Sequence, residues 1–293
     1  MVNYFPWFDG GKGGLLDWNG YINPLAAMIK CCHAFNAVSG GYMDELFENF
    51  RGLEYLVRQE HSKANGIING IDTEIWDPEI DPFLAFNYGK EDADNGKWKN
   101  KRELCEEYRL NPNLPLFSFI GRFAGEKGAD FLPEIVEKSI QETYGALNII
   151  ILGSGEKNIE NRLTELSQTY SNFAVDLGYK EYLSHKIYAS SDFLLMPSRV
   201  EPCGLNQMYA MRYGTVPIVR YIGGLRDTVE DISTGGSGIN FGDASADAAV
   251  HAMHRALHIY HQDGLMSQLV QSNMNFDFSW EKSAQKYLDL YKK

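Results

Sequence analysis

Leu116-Phe117-Ser118-Phe119-Ile120-Gly121-Arg122-Phe123-Ala124-Gly125-Glu126-Lys127-Gly128 opens on an almost continuous apolar run and closes in a glycine-bounded loop carrying two cations. An apolar run with little alternation in polarity is the pattern of a strand covered on both faces, as in a parallel sheet. The pattern repeats downstream in the runs 147–152, 193–196 and 216–219. Between them, 129–144 and 158–170 carry apolar residues at three- and four-residue spacing, and 204–213 follows a turn, so the spacing predicts crossover helices. The fold expected is α/β, a doubly wound parallel sheet.

Each predicted strand ends in a polar or glycine-rich loop. After 116–120 comes the loop quoted above, after 147–152 comes Gly153-Ser154-Gly155-Glu156, and after 193–196 comes Pro197-Ser198-Arg199-Val200-Glu201-Pro202-Cys203-Gly204. Open α/β sheets bind ligands beyond the carboxyl ends of their strands, so these loops are expected to line one crevice.

Upstream the composition changes. The stretch 72–113 holds Asp77-Pro78, Asp81-Pro82, a charged patch at 90–101 and Asn111-Pro112, which reads as a linker between domains with one short helix near 99–108. Residues 1–71 hold an apolar helix-like run at 24–33, a strand candidate at 35–39 and a helix candidate at 42–50, too little for an independent α/β domain. The organisation expected is a remnant of a second α/β domain over 1–71, the linker over 72–113, the main sheet domain over 114–275 and a closing helix over 276–293.

With 293 residues and 44% hydrophobic content, the chain can bury one ordinary core and part of a second. A formal net charge of −12 without a concentrated basic run argues against nucleic acid and against an anionic membrane surface. No apolar run approaches the roughly 20 residues that span a bilayer. The start of the chain lacks a signal-peptide pattern, so the cytoplasm is the expected compartment. Cys31, Cys32, Cys105 and Cys203 show no disulfide or zinc spacing and read as reduced thiols, with Cys31 and Cys32 expected in a core.

The chemistry gathers in three places. Arg122 and Lys127 suit the charge that grows on a diphosphate leaving group, although two solvated surface cations would show the same spacing. A helix starting near Gly204 would aim backbone N–H groups and its positive dipole end into the crevice. Glu201 stands just before it, either to bind sugar hydroxyls and stabilise a cationic sugar carbon or merely to start a helix. Cys203 reads as a tight-turn residue lending its backbone rather than as a nucleophile. His185 and the series His251, His254, His258 and His261 have a metal-like spacing, but no acid or thiolate converges on them in sequence, and they read as a solvated face.

The run 198–206, the Arg122/Lys127 loop, Gly223-Gly224-Leu225, the phrase Gly66-Ile67-Ile68-Asn69-Gly70-Ile71-Asp72 with Trp76 and Pro78, and Phe278-Ser279-Trp280-Glu281-Lys282-Ser283-Ala284 together resemble the bacterial starch/glycogen synthases of ADP-glucose type, which are GT-B glycosyltransferases. The resemblance runs from about Asn19 to the end. It implies a Rossmann-like C-terminal half of a GT-B fold that transfers glucose, with retention, from ADP-glucose to an α-1,4-glucan. It further implies that Arg122 and Lys127 hold the donor phosphates, that Glu201 contacts the transferred glucose, and that Cys203, Gly204, Leu205, Asn206 and Gly224 cradle glucose and the distal phosphate.

By the same resemblance Tyr179 lies against the adenine, where a planar ring offers a stacking face, and Asn19 lies at the interdomain cleft. The family usually has Thr at position 206, and many retaining GT-B enzymes have a second Glu at the position of Tyr209. No metal or other cofactor is implied, and the partners implied are a nucleotide sugar and an α-glucan. The family's N-terminal domain, with its Lys-x-Gly-Gly loop and a His, would precede this chain. Lys12-Gly13-Gly14-Leu15 is one residue short of that loop and reads as a flexible segment. Apolar residues within 25–38 are accordingly expected to be partly exposed. The alternative in another class is a non-catalytic module that binds a nucleotide sugar or glucan.

Overall fold

The computed structural model describes residues 16–18 and 20–292. The chain opens with a short antiparallel pair, β1 (Asp17–Trp18) and β2 (Tyr21–Ile22), followed by helix α1 (Pro24–Cys31). The Asn23 side chain accepts the N–H of Ala26, and Pro24 occupies the first turn, where its missing N–H costs nothing. Next come β3 (Phe35–Ala37), α2 (Gly40–Glu48), α3 (Glu54–Gln59) and β4 (Ala64–Gly66), with β3 and β4 parallel. Ala26, Ala27 and Ile29 of α1 are buried, whereas Leu25 and Met28 are exposed, as expected for this stretch. Cys31 is exposed and Cys32 half-buried, so the core placement expected of Cys31 is corrected: it falls on the outer side of the helix.

Helix α4 (Ala93–Tyr108) is longer than the sequence suggested, and it packs on the sheet domain. Its inner side buries Ala93, Leu104 and Cys105 but also the polar Lys97, Asn100 and Lys101. The buried Lys97 ammonium meets the carbonyls of Tyr188, Ala189 and Tyr213 and the Thr215 hydroxyl at 2.9–3.4 Å. Lys101 pairs with Asp192 at 2.6 Å, and Asp192 also accepts the N–H of Leu116. A helix that buries lysine and asparagine stems beside its few apolar residues has little apolar periodicity to read.

The main sheet is built from β5 (Leu116–Phe123), α5 (Leu132–Glu142), β6 (Asn148–Gly155), α6 (Lys157–Thr169), β7 (Phe173–Leu177), α7 (Glu181–Ser190), β8 (Phe193–Met196), α8 (Asn206–Arg212), β9 (Val216–Arg220), α9 (Gly223–Thr228) and β10 (Ile239–Phe241). Helices α10 (Ala246–Tyr260), α11 (Leu265–Asn273) and α12 (Trp280–Tyr291) complete the chain. The six strands run parallel in the order β10-β9-β8-β5-β6-β7. The chain winds outward from β5 to β7, returns to β8 and winds the other way, which makes the gap between β5 and β8 the topological switch point.

Side chains alternate across this sheet. Phe117, Phe119, Ile149, Ile151, Phe193, Leu195 and Ile218 pack under α5, α6 and α10, while Leu116, Ile150, Leu152, Leu194 and Met196 face α4, α7 and α8. Phe117 and Phe193 stack at 4.9 Å across the switch point. Each such fully buried large side chain stabilises the fold by about 1.5–3 kcal/mol relative to exposure.

Several contacts bind the N-terminal segment to the sheet domain, among them the Ser39 hydroxyl donating to the Pro202 carbonyl at 2.5 Å. Helix α12 returns to that segment, with the Ile71 N–H donating to the Phe278 carbonyl at 2.8 Å and the Ser283 hydroxyl to the Ile68 carbonyl at 2.7 Å. Helices α2 and α9 meet N-terminus to N-terminus: the Gly41 N–H donates to Asp227 Oδ2 at 2.8 Å and the Gly223 N–H to Glu45 Oε1 at 2.7 Å. Each helix thus caps the other's orphan donors with a carboxylate.

Candidate functional site

The loops after β5 and β8 are locked together before any side chain reaches the crevice. The N–H groups of Arg199 and Val200 donate to the Glu126 carbonyl at 2.8 and 3.1 Å. Gly128 has φ +65°, and a Cβ there would fall 2.1 Å from the Pro197 carbonyl oxygen, so only glycine lets the two loops close. Arg199 pairs with both oxygens of Asp130 and lies 4.0 Å from the Phe131 ring centre. Arg220, at the end of β9, donates to the Ser198 and Arg199 carbonyls at 3.2 and 2.9 Å. This is a preorganised backbone.

Lys127 and Glu201 face each other across that lock. Lys127 Nζ lies 2.6 Å from Glu201 Oε2, and the Ser198 hydroxyl donates to the same oxygen at 3.1 Å. Glu201 is buried, and none of the described residues bonds its Oε1. Both belong to a cleft of about 220 Å³ at the switch point, bounded also by Arg122, Gly204, Leu205 and Asn206. Arg122 is turned outward and pairs with Glu126, its side chain 71% exposed. Exposed ion pairs of this kind contribute about 0–1 kcal/mol, so an anionic ligand can take the guanidinium over at little cost.

The other expected residues occupy distinct places. Asn206 begins α8 and donates its side-chain amide to the Ile120 carbonyl at 2.6 Å, which anchors that helix to β5. No side chain caps α8 at Leu205. Gly204 has φ +74° at the turn into α8. Gly224 stands behind the loop, its N–H donating to the Glu201 carbonyl at 3.0 Å. Cys203 packs beside Ile71 and Met208, and burial pushes its thiol up, which suits a packing role and not a nucleophile. Asn19 and Lys12-Gly13-Gly14-Leu15 lie outside the described residues.

A second cleft of about 340 Å³ adjoins the first, sharing Ile120, Gly121, Arg122 and Asn206. Tyr179, 87% exposed in the loop after β7, lines it together with Trp76 and Tyr209. The sequence reading assigned no role to Trp76, Ser198 or Glu126, and none to Tyr209 beyond its place in the family pattern. It also misplaced His185, which is buried rather than solvated. Its Nδ1 lies 2.7 Å from Asp81 Oδ2, and its ring stacks on Trp76. Burial works to raise the Asp81 carboxyl, but His185, the Tyr213 hydroxyl and the Phe83 N–H together hold it below its usual value. Asp81 is 104 residues from His185, so the acid that meets the imidazole was invisible in local spacing.

On α10, by contrast, His251, His258 and His261 are exposed, and His254 pairs with Glu142 at 2.9 Å. Among the described residues no group of His, Cys, Asp and Glu is arranged to hold a metal ion, and no helix is long and apolar enough to cross a membrane.

A doubly wound parallel sheet with a cationic and aromatic crevice at its switch point defines the class of α/β proteins that take their ligand between two strand ends. Residues 100–270 match the family described as glycosyl transferases group 1. The chain belongs to that family.

Among its relatives, a glycogen synthase of Flavobacterium johnsoniae is 48% identical over 289 residues, covering 98% of this chain and 61% of that protein. A glycogen synthase of Thermodesulfovibrio yellowstonii is 39% identical over 282 residues, covering 94% of this chain and 55% of that protein. The chain therefore spans about 55–61% of the length of these relatives. Among solved structures, the catalytic domain of starch synthase IV from Arabidopsis thaliana, bound to ADP and acarbose, superposes with a TM-score of 0.83 at 34% identity, over 92% of this chain and 57% of that one. Sucrose-phosphate synthase from Thermosynechococcus elongatus, at 18% identity and a TM-score of 0.62 over 91% of this chain and 59% of that one, shares the fold.

Proposed function

We propose that this chain carries the donor-binding half of a retaining glucosyltransferase of starch/glycogen synthase type, moving glucose from ADP-glucose to the non-reducing end of an α-1,4-glucan. The observation that carries the reading is the Lys127–Glu201–Ser198 cluster, set in a cleft that continues through Arg122 into an aromatic cleft. A nucleotide sugar has the matching order of parts: an uncharged hexose, a diphosphate and a planar base.

Glu201 would receive a glucose hydroxyl on its unbonded Oε1 and stabilise positive charge at the reacting carbon. Lys127, Arg122 and the uncapped start of α8 would take the phosphates, and the growing negative charge would be met without a metal. Tyr179 would stack on the base. With Tyr209 where a second carboxylate would stand, we assign departure and attack to the same face of the sugar, the leaving phosphate drawing the proton from the acceptor hydroxyl. The four cysteines are free, as a reducing compartment keeps them, and the cytoplasm is the compartment we assign.

The test is incorporation of radiolabelled glucose from ADP-glucose into glycogen, by this chain alone and with a co-expressed N-terminal portion of a related synthase. The expected result is little transfer by the chain alone and clear transfer by the mixture, abolished by Glu201→Gln. Tight donor binding with no transfer in either mixture would favour a nucleotide-sugar or glucan-binding module instead.

A further inference from the structure

A third cleft, of about 770 Å³, runs along α9 and shares no residue with the two clefts of the donor site. It is bounded by α9, by the segment 229–238 that leads into β10, and by the end of α11 with Phe276 beyond it. Its wall is pinned. Asp231 Oδ1 accepts from Arg255 and from the Ser233 hydroxyl and N–H at 2.7–3.0 Å, and its Oδ2 accepts the Asn240 N–H at 2.7 Å. The Ser237 and Gly238 N–H groups donate to the Glu230 carbonyl at 3.0 and 3.1 Å. A segment held in this way loses little freedom when a ligand arrives.

Two aromatic rings line the cleft and stay open to solvent. Tyr221 is 53% exposed and Phe276 44%, the latter braced by Phe278, stacked on it at 5.8 Å and 11°. Glu230 is exposed and pairs with no cation among the described residues; the Thr234 hydroxyl donates to its Oε1 at 3.2 Å. Ser237 is buried in the same wall, and neither its hydroxyl nor the side-chain oxygen of Asn240 has a partner among the described residues. Buried polar atoms of native proteins are nearly always bonded to protein, water or ligand. The cleft thus carries hydrogen-bonding capacity that the fold does not use.

The lining selects among ligands. Asp227, Glu230 and Asp231 outnumber Arg226, which is already paired with Asp44, so an anion is repelled. A purely apolar ligand would strand the carboxylate and the unbonded oxygens. A neutral chain of hexoses meets each feature: the C–H faces of its rings pack on aromatic faces, and its hydroxyls bond carboxylate and amide oxygens.

We propose that this cleft is a second glucan-binding site, one that holds a stretch of the polymer away from its reacting end. The proposal rests on the glucan-transfer reading above. Tyr221 comes just before Gly224, whose N–H donates to the Glu201 carbonyl, so the cleft adjoins the Glu201 loop from behind. A long glucan held here keeps its free ends concentrated near the donor crevice, because each later encounter is intramolecular. Weak binding is enough for that, and it lets the polymer move on between transfers.

The experiment uses the whole chain, as wild type and as Tyr221→Ala, Tyr221→Phe and Glu230→Ala. Each is titrated calorimetrically with maltoheptaose at low and high salt, run through native gels containing glycogen, and titrated separately with ADP-glucose. The wild type is expected to bind maltoheptaose with an affinity that salt leaves unchanged, the ligand being neutral, and to be retarded by glycogen. Tyr221→Ala and Glu230→Ala should each weaken maltoheptaose binding about fivefold and reduce the retardation. Tyr221→Phe keeps the ring and should keep most of the affinity. ADP-glucose affinity should stay at the wild-type value in all three.

Both positions are exposed, so the variants are expected to fold, and their unfolding midpoints check it. No binding of maltoheptaose or glycogen by the wild type, or binding that Tyr221→Ala and Glu230→Ala leave intact, would overturn the proposal while ADP-glucose binding upholds the donor-site reading. Absence of ADP-glucose binding by the wild type would overturn that reading instead, and glucan binding that depends on Tyr221 and Glu230 would stand without it.

Discussion

Lys127 and Glu201 lie 74 residues apart in sequence and meet at 2.6 Å across the gap between β5 and β8, the lysine side chain 28% exposed and the glutamate 7%. The asymmetry means that the carboxylate depends on the lysine more than the reverse. Lys127→Met should destabilise the fold by about 1–3 kcal/mol, because it leaves a buried charge with only the Ser198 hydroxyl. Adding Glu201→Gln to Lys127→Met should recover most of that loss, since the stranded charge is removed. Thermal unfolding of the two single variants and the double variant measures it, and a double variant no more stable than Lys127→Met would show that the pair is not the cause.

The Arg122–Glu126 pair predicts opposite effects from neighbouring substitutions. Arg122→Ala should weaken ADP-glucose binding by about 1.5–3 kcal/mol through loss of charged hydrogen bonds. Glu126→Gln should leave binding equal or slightly tighter, because it removes the carboxylate with which the phosphates compete. Both should alter the unfolding midpoint little, the pair being exposed. Binding isotherms for the two variants decide it; a marked loss in Glu126→Gln would give that residue a direct role.

Mutual capping of α2 and α9 predicts coupling between the N-terminal segment and the loop that carries Glu201. Gly223, capped by Glu45, would bring a Cβ to 2.1 Å from the Glu201 carbonyl oxygen, so α9 lies against the backbone of the site. Asp227→Ala should cost about 0.5–2 kcal/mol, as other lost N-terminal caps do. Denaturant unfolding of Asp227→Ala, Glu45→Ala and the double variant should give a sum of single effects larger than the double effect, as expected for one shared junction.

Acid stability should turn on Asp231. Burial alone would raise its carboxyl, but Arg255, the Asn240 and Ser233 N–H groups and the Ser233 hydroxyl hold it down to about 2, from an ordinary value of 3.8. A carboxyl whose folded value is depressed contributes stability that is complete above the unfolded value and disappears as pH falls through the folded one. About 2 kcal/mol should therefore be lost between roughly pH 4 and pH 2. Asp231→Asn should flatten that part of the stability profile, and a profile as steep as that of the wild type would contradict the assignment.

Most of the sheet was legible because its central strands are nearly pure apolar runs. The strand expected at 193–196 coincides with β8 (Phe193–Met196), and the segments that carry Lys127 and Glu201 were read as the loops after β5 and β8, whereas Arg122, expected in the first loop, falls within β5 because that strand runs on to Phe123. The edge strands β7 and β10 escaped, since Phe173–Leu177 includes Asp176 and Ile239–Phe241 has only three residues. Helix α4 looked short because Lys97, Asn100 and Lys101 are buried where apolar side chains would ordinarily mark a face. The Asp81–His185–Trp76 arrangement escaped for a different reason: its parts come from separate segments and only the fold brings them together.

The central claim is that the switch-point crevice holds a nucleotide sugar by side chains and backbone. Calorimetric titration of this chain with ADP-glucose, in chelator and then with added Mg²⁺, tests it most directly. The account predicts saturable binding of equal affinity in both conditions, weakened about tenfold or more by Arg122→Ala. Absence of binding, or binding that appears only with Mg²⁺, would contradict it.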